Sequence, residues 1–372
     1  MKIVHFSDTH LGFSDLDIVN DDGINQREAD FYQAFRDIID DILKLKPNYV
    51  IHTGDLFHRP SPSNRAISVA LSEFKRLEKA NIPLIIIAGN HSTPKTSTSL
   101  PILKIFQTLN NTYPIFLQKY ETIKFDDVIF HALPHLNDEN MIKEELNKIE
   151  TQILPTKKNI LLMHLSVGAY YLMHEFGEWV YPKDKEYLFE KFDYVALGHW
   201  HGFSQVKGYQ NVYYSGSSER TSSSDKREDK GYIVCDLKET LQIEFKKINL
   251  RKNFTFCIDA QEFEDEIAKL DLSGIKGALV EVILKNLTIS LSIDITNQQI
   301  IEIFKDALHV KIKREFNTID HKTNLHDIEA ISIENYFLEH ISKNISDKNE
   351  QKRLSQKAKE LFSKCESFDD LN

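Results

Sequence analysis

Asp8, His10, Asp55, Asn90, His164, His199 and His201 are seven side chains able to bind a metal, and they fall in five short clusters. The clusters read Asp8-Thr9-His10, Gly54-Asp55, Gly89-Asn90-His91, Met163-His164 and Gly198-His199-Trp200-His201. Carboxylate, amide oxygen and imidazole together suit Mn, Fe or Zn better than Ca. Seven ligands exceed what one tetrahedral ion needs, so two ions sharing a bridging carboxylate are the natural reading. Asp55, directly after Gly54, is placed to bridge. Asp8 and His10, two apart, would share one face of a straight strand. A lone loop histidine or turn aspartate is ordinarily just a hydrogen-bonding residue. Five clusters in this order are not accounted for that way.

The elements that must position these groups are legible around them. Each cluster closes an apolar run: Ile3-Val4-His5-Phe6, Tyr49-Val50-Ile51-His52, Pro83 to Ile87, Ile160-Leu161-Leu162 and Tyr194-Val195-Ala196-Leu197. Short runs rich in Val and Ile, bounded by turn residues, read as buried strands. Polar groups at the carboxyl ends of several such strands converge on one crevice. Between the strands, amphipathic helices are expected over 27–46, 63–80, 100–109 and 138–150. Strand, ligand loop and helix in alternation make an α/β layer fold. After His201 the texture turns to β, at Val212-Tyr213-Tyr214, Tyr232-Ile233-Val234 and Ile243-Glu244-Phe245. These antiparallel-looking strands are expected to complete a second sheet near residue 250. Residues 251–329 read as a separate strand–helix unit without any of the ligands. Residues 330–372 read as a charged two-helix tail with an apolar stripe at Ile333, Phe337, Ile341, Leu354, Ala358 and Leu361. Such a tail either docks on the body or fits a partner's groove.

Composition sets outer limits. The chain has 372 residues, 41% hydrophobic and 27% charged, with a net charge of −10. That size allows two or three domains, and the charge leaves no global basic surface for nucleic acid. A nuclease relying on bound cations, local basic patches or a partner remains open. No run reaches the length of a membrane span. The first residues enter a ligand strand at once, leaving no room for a signal peptide. Cys235, Cys257 and Cys365 form no CxxC pair, which fits reduced thiols in a cytoplasm.

His91 follows Asn90, and adjacent residues at a strand end point apart. With Asn90 on a metal, His91 would face the substrate, there to donate to a phosphate oxygen or protonate a leaving alkoxide. The alternative is a histidine that only orients a ligand. His5 and His52 are expected in the core or behind the ligands, and His131 and His135 beside the cleft. The histidines at 309, 321, 326 and 340 are expected on the surface. The stretch Tyr170 to Phe176, with Trp179, reads as packing or as a loop over the site.

The series Asp-x-His, Gly-Asp, Gly-Asn-His, His, Gly-His-x-His resembles the calcineurin-like metallophosphoesterase superfamily. Ser7-Asp8-Thr9-His10-Leu11-Gly12, Gly54-Asp55-Leu56-Phe57-His58 and Tyr214-Ser215-Gly216-Ser217-Ser218-Glu219-Arg220, with Lys230-Gly231 beyond, resemble the SbcD family of DNA-repair nucleases. The resemblance covers the first 250 residues. It implies an α/β two-sheet metallophosphoesterase sandwich flanked by helices over 1–250. A small α+β capping domain would follow over 251–329, and a helical partner-binding tail over 330–372. It implies two Mn2+, one held by Asp8, His10 and His201 and one by Asn90, His164 and His199, with Asp55 between them. His91 would be the catalytic histidine. His58 matches a family position that affects how the DNA strand is engaged; read as a bare residue it is a surface loop histidine. The implied activity is hydrolysis of phosphodiester bonds at DNA ends, in the nuclease subunit of an SbcCD-like repair complex. The implied partners are DNA, an SbcC-type coiled-coil ATPase and a second copy of the chain, in the cytoplasm and away from any membrane.

One departure stands out. The superfamily usually reads Gly-Asn-His-Asp, and this chain has Ser92 in the last place. A carboxylate there would orient His91 or raise its basicity. Ser92→Asp is therefore expected to raise activity unless another group already fills that role. Two other functions share these motifs: a small-molecule or protein phosphatase with the same metal centre, and a weakly active scaffold that binds DNA ends. The segment after Asp55 lacks the Asp-Arg-Gly string of protein phosphatases.

Overall fold

The computed structural model describes residues 1–96, 98–138, 140–168, 180–222, 225, 229–317, 340–341, 345 and 348–369. The chain divides into two compact units. The first is Met1–Phe254 with Gly274–Leu279 and Asp306–His309, and it holds all seven candidate ligands.

The apolar runs of the first unit become strands buried on both faces, as a parallel sheet between other layers requires. Strands β1 (Lys2–Phe6), β2 (Tyr49–His52), β3 (Leu84–Ile87) and β4 (Thr112–Ile115) are parallel neighbours. Pro114 is confined to β4, the edge strand, where a missing N–H costs no ladder bond. A second sheet takes β5 (Glu121–Lys124), β6 (Val128–Leu133), β7 (Lys158–His164), β8 (Tyr194–Gly198), β9 (Ser204–Gln205) and β10 (Val212–Tyr214), in the order β5-β6-β7-β8-β10-β9.

Strand parity sorts the side chains into three cores. Val4, Phe6, Val50, Leu84 and Ile86 pack under helices α1 (Gln26–Leu45) and α2 (Asn64–Lys79), against Phe35, Ile38, Phe74 and Leu77. Ile3, Ile51, Ile85 and Ile87 turn the other way and meet Phe130, Ile160, Leu162 and Ala196 between the sheets. Leu161, Met163, Val195 and Leu197 lie under α3 (Asn140–Glu150) and the 3-10 stretch Lys183–Lys191. Asn25 caps α1 by accepting from the amides of Arg27 and Glu28. Lys46, left-handed at φ 48°, ends it before Pro47.

Two expectations are corrected. The helix over 100–109 is only a 3-10 stretch, Ile102–Thr108. The late strands do not together complete the second sheet. β10 joins it parallel to β8, whereas β11 (Gly231–Leu237) and β12 (Leu241–Lys247) return antiparallel to the open side of β1 in the first sheet. Alternation tells which face a strand buries but not which edge it joins. Ile233 and Cys235 point between the sheets, while Tyr232 and Val234 join the core under the helices.

The second unit comprises Thr255–Ser273, Val280–Lys305 and Val310–Asn372. Its three-stranded sheet has the order β13 (Asn253–Asp259), β14 (Leu279–Leu287), β15 (His309–Phe316). Between β13 and β14 a 3-10 turn, Ala260–Glu262, runs into the short α4 (Phe263–Ala268). α5 (Ile289–Asp294) follows β14, and α6 (Asn297–Ile303) opens with a capping box between Thr296 and Gln299. In the tail, α7 spans Lys348–Asp369, and Ile341 and Ala358 are buried. The stripe residues Ile333 and Phe337 lie outside the described residues, as do Tyr170 to Phe176 and Trp179. Among the described residues, no helix is long and apolar enough to cross a membrane.

Candidate metal centre

The loops that leave β1 and β2 run side by side. Asp8 N–H donates to Gly54 O at 3.0 Å, His10 N–H to Asp55 O at 3.0 Å and Leu11 N–H to Leu56 O at 2.8 Å. This pairing brings Asp8, His10 and Asp55 together beside the ends of β3, β7 and β8. It also bends the backbone. Asp8, His10, Asp55 and His199 all have positive φ, at 50°, 41°, 53° and 97°. Such conformations cost about 1 kcal/mol or more each and persist only where surroundings enforce them. Gly54 (φ 106°) tolerates a position where a Cβ would fall 2.2 Å from His164 Nδ1. At Gly89 a Cβ would fall 2.3 Å from Asp55 Oδ1. Both glycines let ligand loops approach each other closely.

On one side of Asp55, His164 Nδ1 donates to Thr53 O at 2.8 Å. That leaves Nε2 facing Asn90 Oδ1 at 2.9 Å and Asp55 Oδ2 at 3.2 Å. His199 packs its ring edge-on against His164, centroids 5.3 Å apart, and its N–H donates to Asp8 Oδ2 at 3.0 Å. Beside Asp8, His10 Nε2 and His201 Nε2 lie 3.1 Å apart. Candidate ligand atoms of Asp8, His10 and His201 lie within 4.8 Å of one another, as do those of Asp8, Asp55 and His164. Asp8 reaches both groups, and Ser7 Oγ donates to its carboxylate.

The donor set fits cations. A bare imidazole nitrogen facing two oxygens, and two imidazole nitrogens facing each other, each need a proton or a metal between them. The titration tendencies say the same. Burial opposes charge on His164, but Asp55 and Asp8 outweigh it and raise its pKa to about 9. Burial would raise Asp55, yet His164, His10 and His91 hold it well below the usual carboxylate range. His10 goes the opposite way from His164: burial lowers it, and His201, His91 and His58 add to that against Asp55. The pull of Asp55 and Asp8 on His164 marks where positive charge is favoured.

His91 lies beside this centre, its ring centroid 4.9 Å from that of His10. Its N–H donates to Asp55 Oδ1 at 2.9 Å, and its Nδ1 donates to His58 O at 2.9 Å. The ring is therefore oriented by a main-chain carbonyl. Ser92, by contrast, is buried, and its Oγ has no hydrogen-bond partner among the described residues. His58 stacks on His91 and places Nδ1 3.5 Å from His10 Nδ1. Its pKa falls to about 4, through burial first and then His91 and Arg59. It is half-buried against Phe13 rather than a free surface histidine.

His5 and His52 are core residues, as expected. His5 bonds Tyr194 OH at 2.8 Å and Thr53 Oγ1 at 2.9 Å, beneath the carbonyl that orients His164. His131 is not beside the cleft. It is fully buried between Tyr120 OH at 2.6 Å and Asn159 Oδ1 at 3.0 Å. His135 does adjoin the ligand loops, donating its N–H to Ala88 O at 2.8 Å.

Sequence reasoning missed Thr221 and Asp225, which stand behind His201. Thr221 Oγ1 is 2.7 Å from His201 Nδ1 and Asp225 Oδ2 is 3.6 Å away. Burial opposes charge on His201, but Asp225 and Asp8 raise its pKa. Lys230, quoted only as part of a motif, donates to His201 O at 2.8 Å. The one available signal was the position of Thr221, next to the Tyr214–Arg220 string.

Residues 1–203 match the calcineurin-like phosphoesterase family. The chain belongs to that family and is a metal-dependent phosphodiesterase. Over 301 residues it is 32% identical to the DNA double-strand break repair protein Mre11 of Sulfurisphaera tokodaii, covering 77% of this chain and 74% of that one. Over 355 residues it is 27% identical to the protein of the same name from Methanococcus maripaludis, covering 90% and 91%. Within the phosphoesterases, the chain belongs to the Mre11 family.

Proposed function

We propose that this chain is a DNA nuclease of double-strand break repair, hydrolysing phosphodiester bonds at DNA ends with two Mn2+ ions. One arrangement carries the reading: two sets of donors, Asp8–His10–His201 and Asp8–Asp55–His164, meet at Asp8, with the His91 ring beside His10. The names of the relatives supply the DNA and the repair setting. Asp8, His10 and His201 would hold one ion, Asn90, His164 and His199 the other, and Asp55 both. Such a pair of sites would supply Lewis-acid polarisation of phosphoryl oxygens and a lower pKa for a bound water.

The chain's own groups do the rest. Thr53 O fixes the His164 tautomer so that Nε2 is the ligand atom. The backbone amide of His91 holds Asp55 Oδ1. With His91 Nδ1 committed to His58 O, Nε2 is the atom that donates a proton to the leaving oxygen or a hydrogen bond to a phosphoryl oxygen. His58 sits where it would meet the strand next to that ring. The region 251–329 is assigned to capping the DNA. The tail at 330–372 is assigned to an SbcC-type coiled-coil ATPase, and the working form to a cytoplasmic homodimer. Support for the tail is its charged, amphipathic pattern.

The test is turnover. With Mn2+ the full chain should degrade linear duplex or single-stranded oligonucleotides and leave phosphomonoesters and phosphopeptides largely intact. Phosphatase activity without DNA cleavage, or DNA-end binding without cleavage, would overturn the reading.

A further inference from the structure

The hydrogen bonds behind His201 form a short chain. Asp225 Oδ2 accepts from Thr221 N–H at 3.1 Å and from Thr221 Oγ1 at 3.1 Å. Thr221 Oγ1 in turn lies 2.7 Å from His201 Nδ1. Lys230 Nζ is 3.8 Å from the same Asp225 oxygen and donates to His201 O, which also accepts from Ser217 N–H at 3.0 Å. Both Asp225 and Lys230 are buried.

Counting protons along this chain gives a definite answer. An aspartate carboxylate is ionised at neutral pH and only accepts. A threonine hydroxyl has one proton, and a charge-assisted bond to a carboxylate is the stronger place for it. With that proton on Asp225, Thr221 Oγ1 can only accept from His201. His201 then carries its proton on Nδ1, and Nε2, the atom 3.1 Å from His10 Nε2, is left as a bare lone pair.

We infer that Thr221 and Asp225 are positioning residues that set the tautomer of His201, and so make its Nε2 able to take a metal ion. The inference rests on the two-ion reading above. It assigns a role to two side chains that touch neither ion nor substrate.

Substitution at Asp225 separates this role from packing or charge balance. Asp225→Ala removes the one oxygen that accepts both Thr221 bonds; an Asn could keep its carbonyl oxygen there and is the conservative control. Without that acceptor the threonine proton is free to go to His201 Nδ1, which pushes the ring proton to Nε2 and blocks the ligand atom. The first readout is the tautomer. Nitrogen-15 histidine spectra of the metal-free full chain are recorded at alkaline pH, with His201 assigned from a His201→Gln sample. The wild-type and Asp225→Asn rings should be protonated on Nδ1 and the Asp225→Ala ring substantially on Nε2. The second readout is Mn2+ calorimetry. Asp225→Ala should keep one ion at wild-type affinity and bind the other about 10–100-fold more weakly. Thr221→Val should weaken the same ion, and Thr221→Ser should restore it.

An unchanged tautomer in Asp225→Ala, or two ions at wild-type affinity in that variant, overturns the inference. A wild-type protein that binds fewer than two ions contradicts the two-ion reading instead, and the spectra still decide the tautomer. Should Asp225→Ala fail to fold by circular dichroism, the Thr221→Val and Thr221→Ser pair decides the matter alone.

Discussion

His164 and His201 lead opposite sides of the same centre, and they are oriented by different kinds of group. His164 leans on a main-chain carbonyl, Thr53 O, at the end of β2. His201 leans on two side chains, Thr221 and Asp225, from a segment that enters after β10. His91 resembles His164 in this respect, since its ring is set by His58 O. A carbonyl support comes with the fold and survives most substitutions. A side-chain support can be lost by a single one. The His164 side should therefore yield to changes in backbone geometry and the His201 side to changes in side-chain chemistry.

The largest effect should fall on neither side. His91→Gln removes the proton donor and no ligand, so turnover should drop about 10²–10⁴-fold with both ions still bound by calorimetry. Loss of an ion would make His91 a ligand, as its grouping with His10 and His58 allows.

Gly54→Ala should damage the His164 side most. The new Cβ falls 2.2 Å from His164 Nδ1 at φ 106°. Strain of that kind costs about 1–3 kcal/mol, read as a lower melting temperature. The ion beside His164 should weaken more than the one beside His201. Equal weakening of both would mean that the two sides are not held independently.

Acid should act on the frame beneath the His164 side. His5, bonded to Thr53, has its pKa lowered to about 3 by burial and by His52. His131, remote from the centre, is lowered to about 4, chiefly by burial. Both stay neutral in the fold while the unfolded chain takes up protons below about pH 6.5. Their contribution is whole above that pH and is lost as pH falls towards their folded values. At about pH 5 each should cost about 1–2 kcal/mol of stability. A melting temperature that is flat from about pH 7 to 5 would contradict this, and His131→Gln should flatten the slope only in part.

Much of this was legible in the sequence because ligands close strands. Apolar runs ending in Asp8, Asp55, Asn90, His164 and His199 gave both the strands and the crevice, and the structure brings those residues together. What was not legible depends on pairing between distant segments. Alternation in β11 and β12 could not say that they return to β1. Nothing local to Thr221 or Asp225 marks them as neighbours of His201. Backbone carbonyls such as Thr53 O and His58 O have no residue type to read, so the group that orients His91 was sought at position 92.

That last point yields the smallest effect. Since His58 O already orients the ring, Ser92→Asp should leave turnover near wild type rather than raise it. Ser92 is buried and its Oγ has no partner among the described residues, so an added carboxylate should cost at least about 1–3 kcal/mol of stability. A clear gain in nuclease rate would show that the carbonyl is not sufficient.

The central claim is that two ions share Asp55 between differently supported pockets. Anomalous scattering from Mn2+-soaked crystals tests it most directly. The account predicts two peaks about 3.5–4 Å apart, one beside His164 and Asn90, the other beside His10 and His201, with Asp55 between. A single well-occupied peak at saturating Mn2+, or peaks away from Asp55, would contradict it.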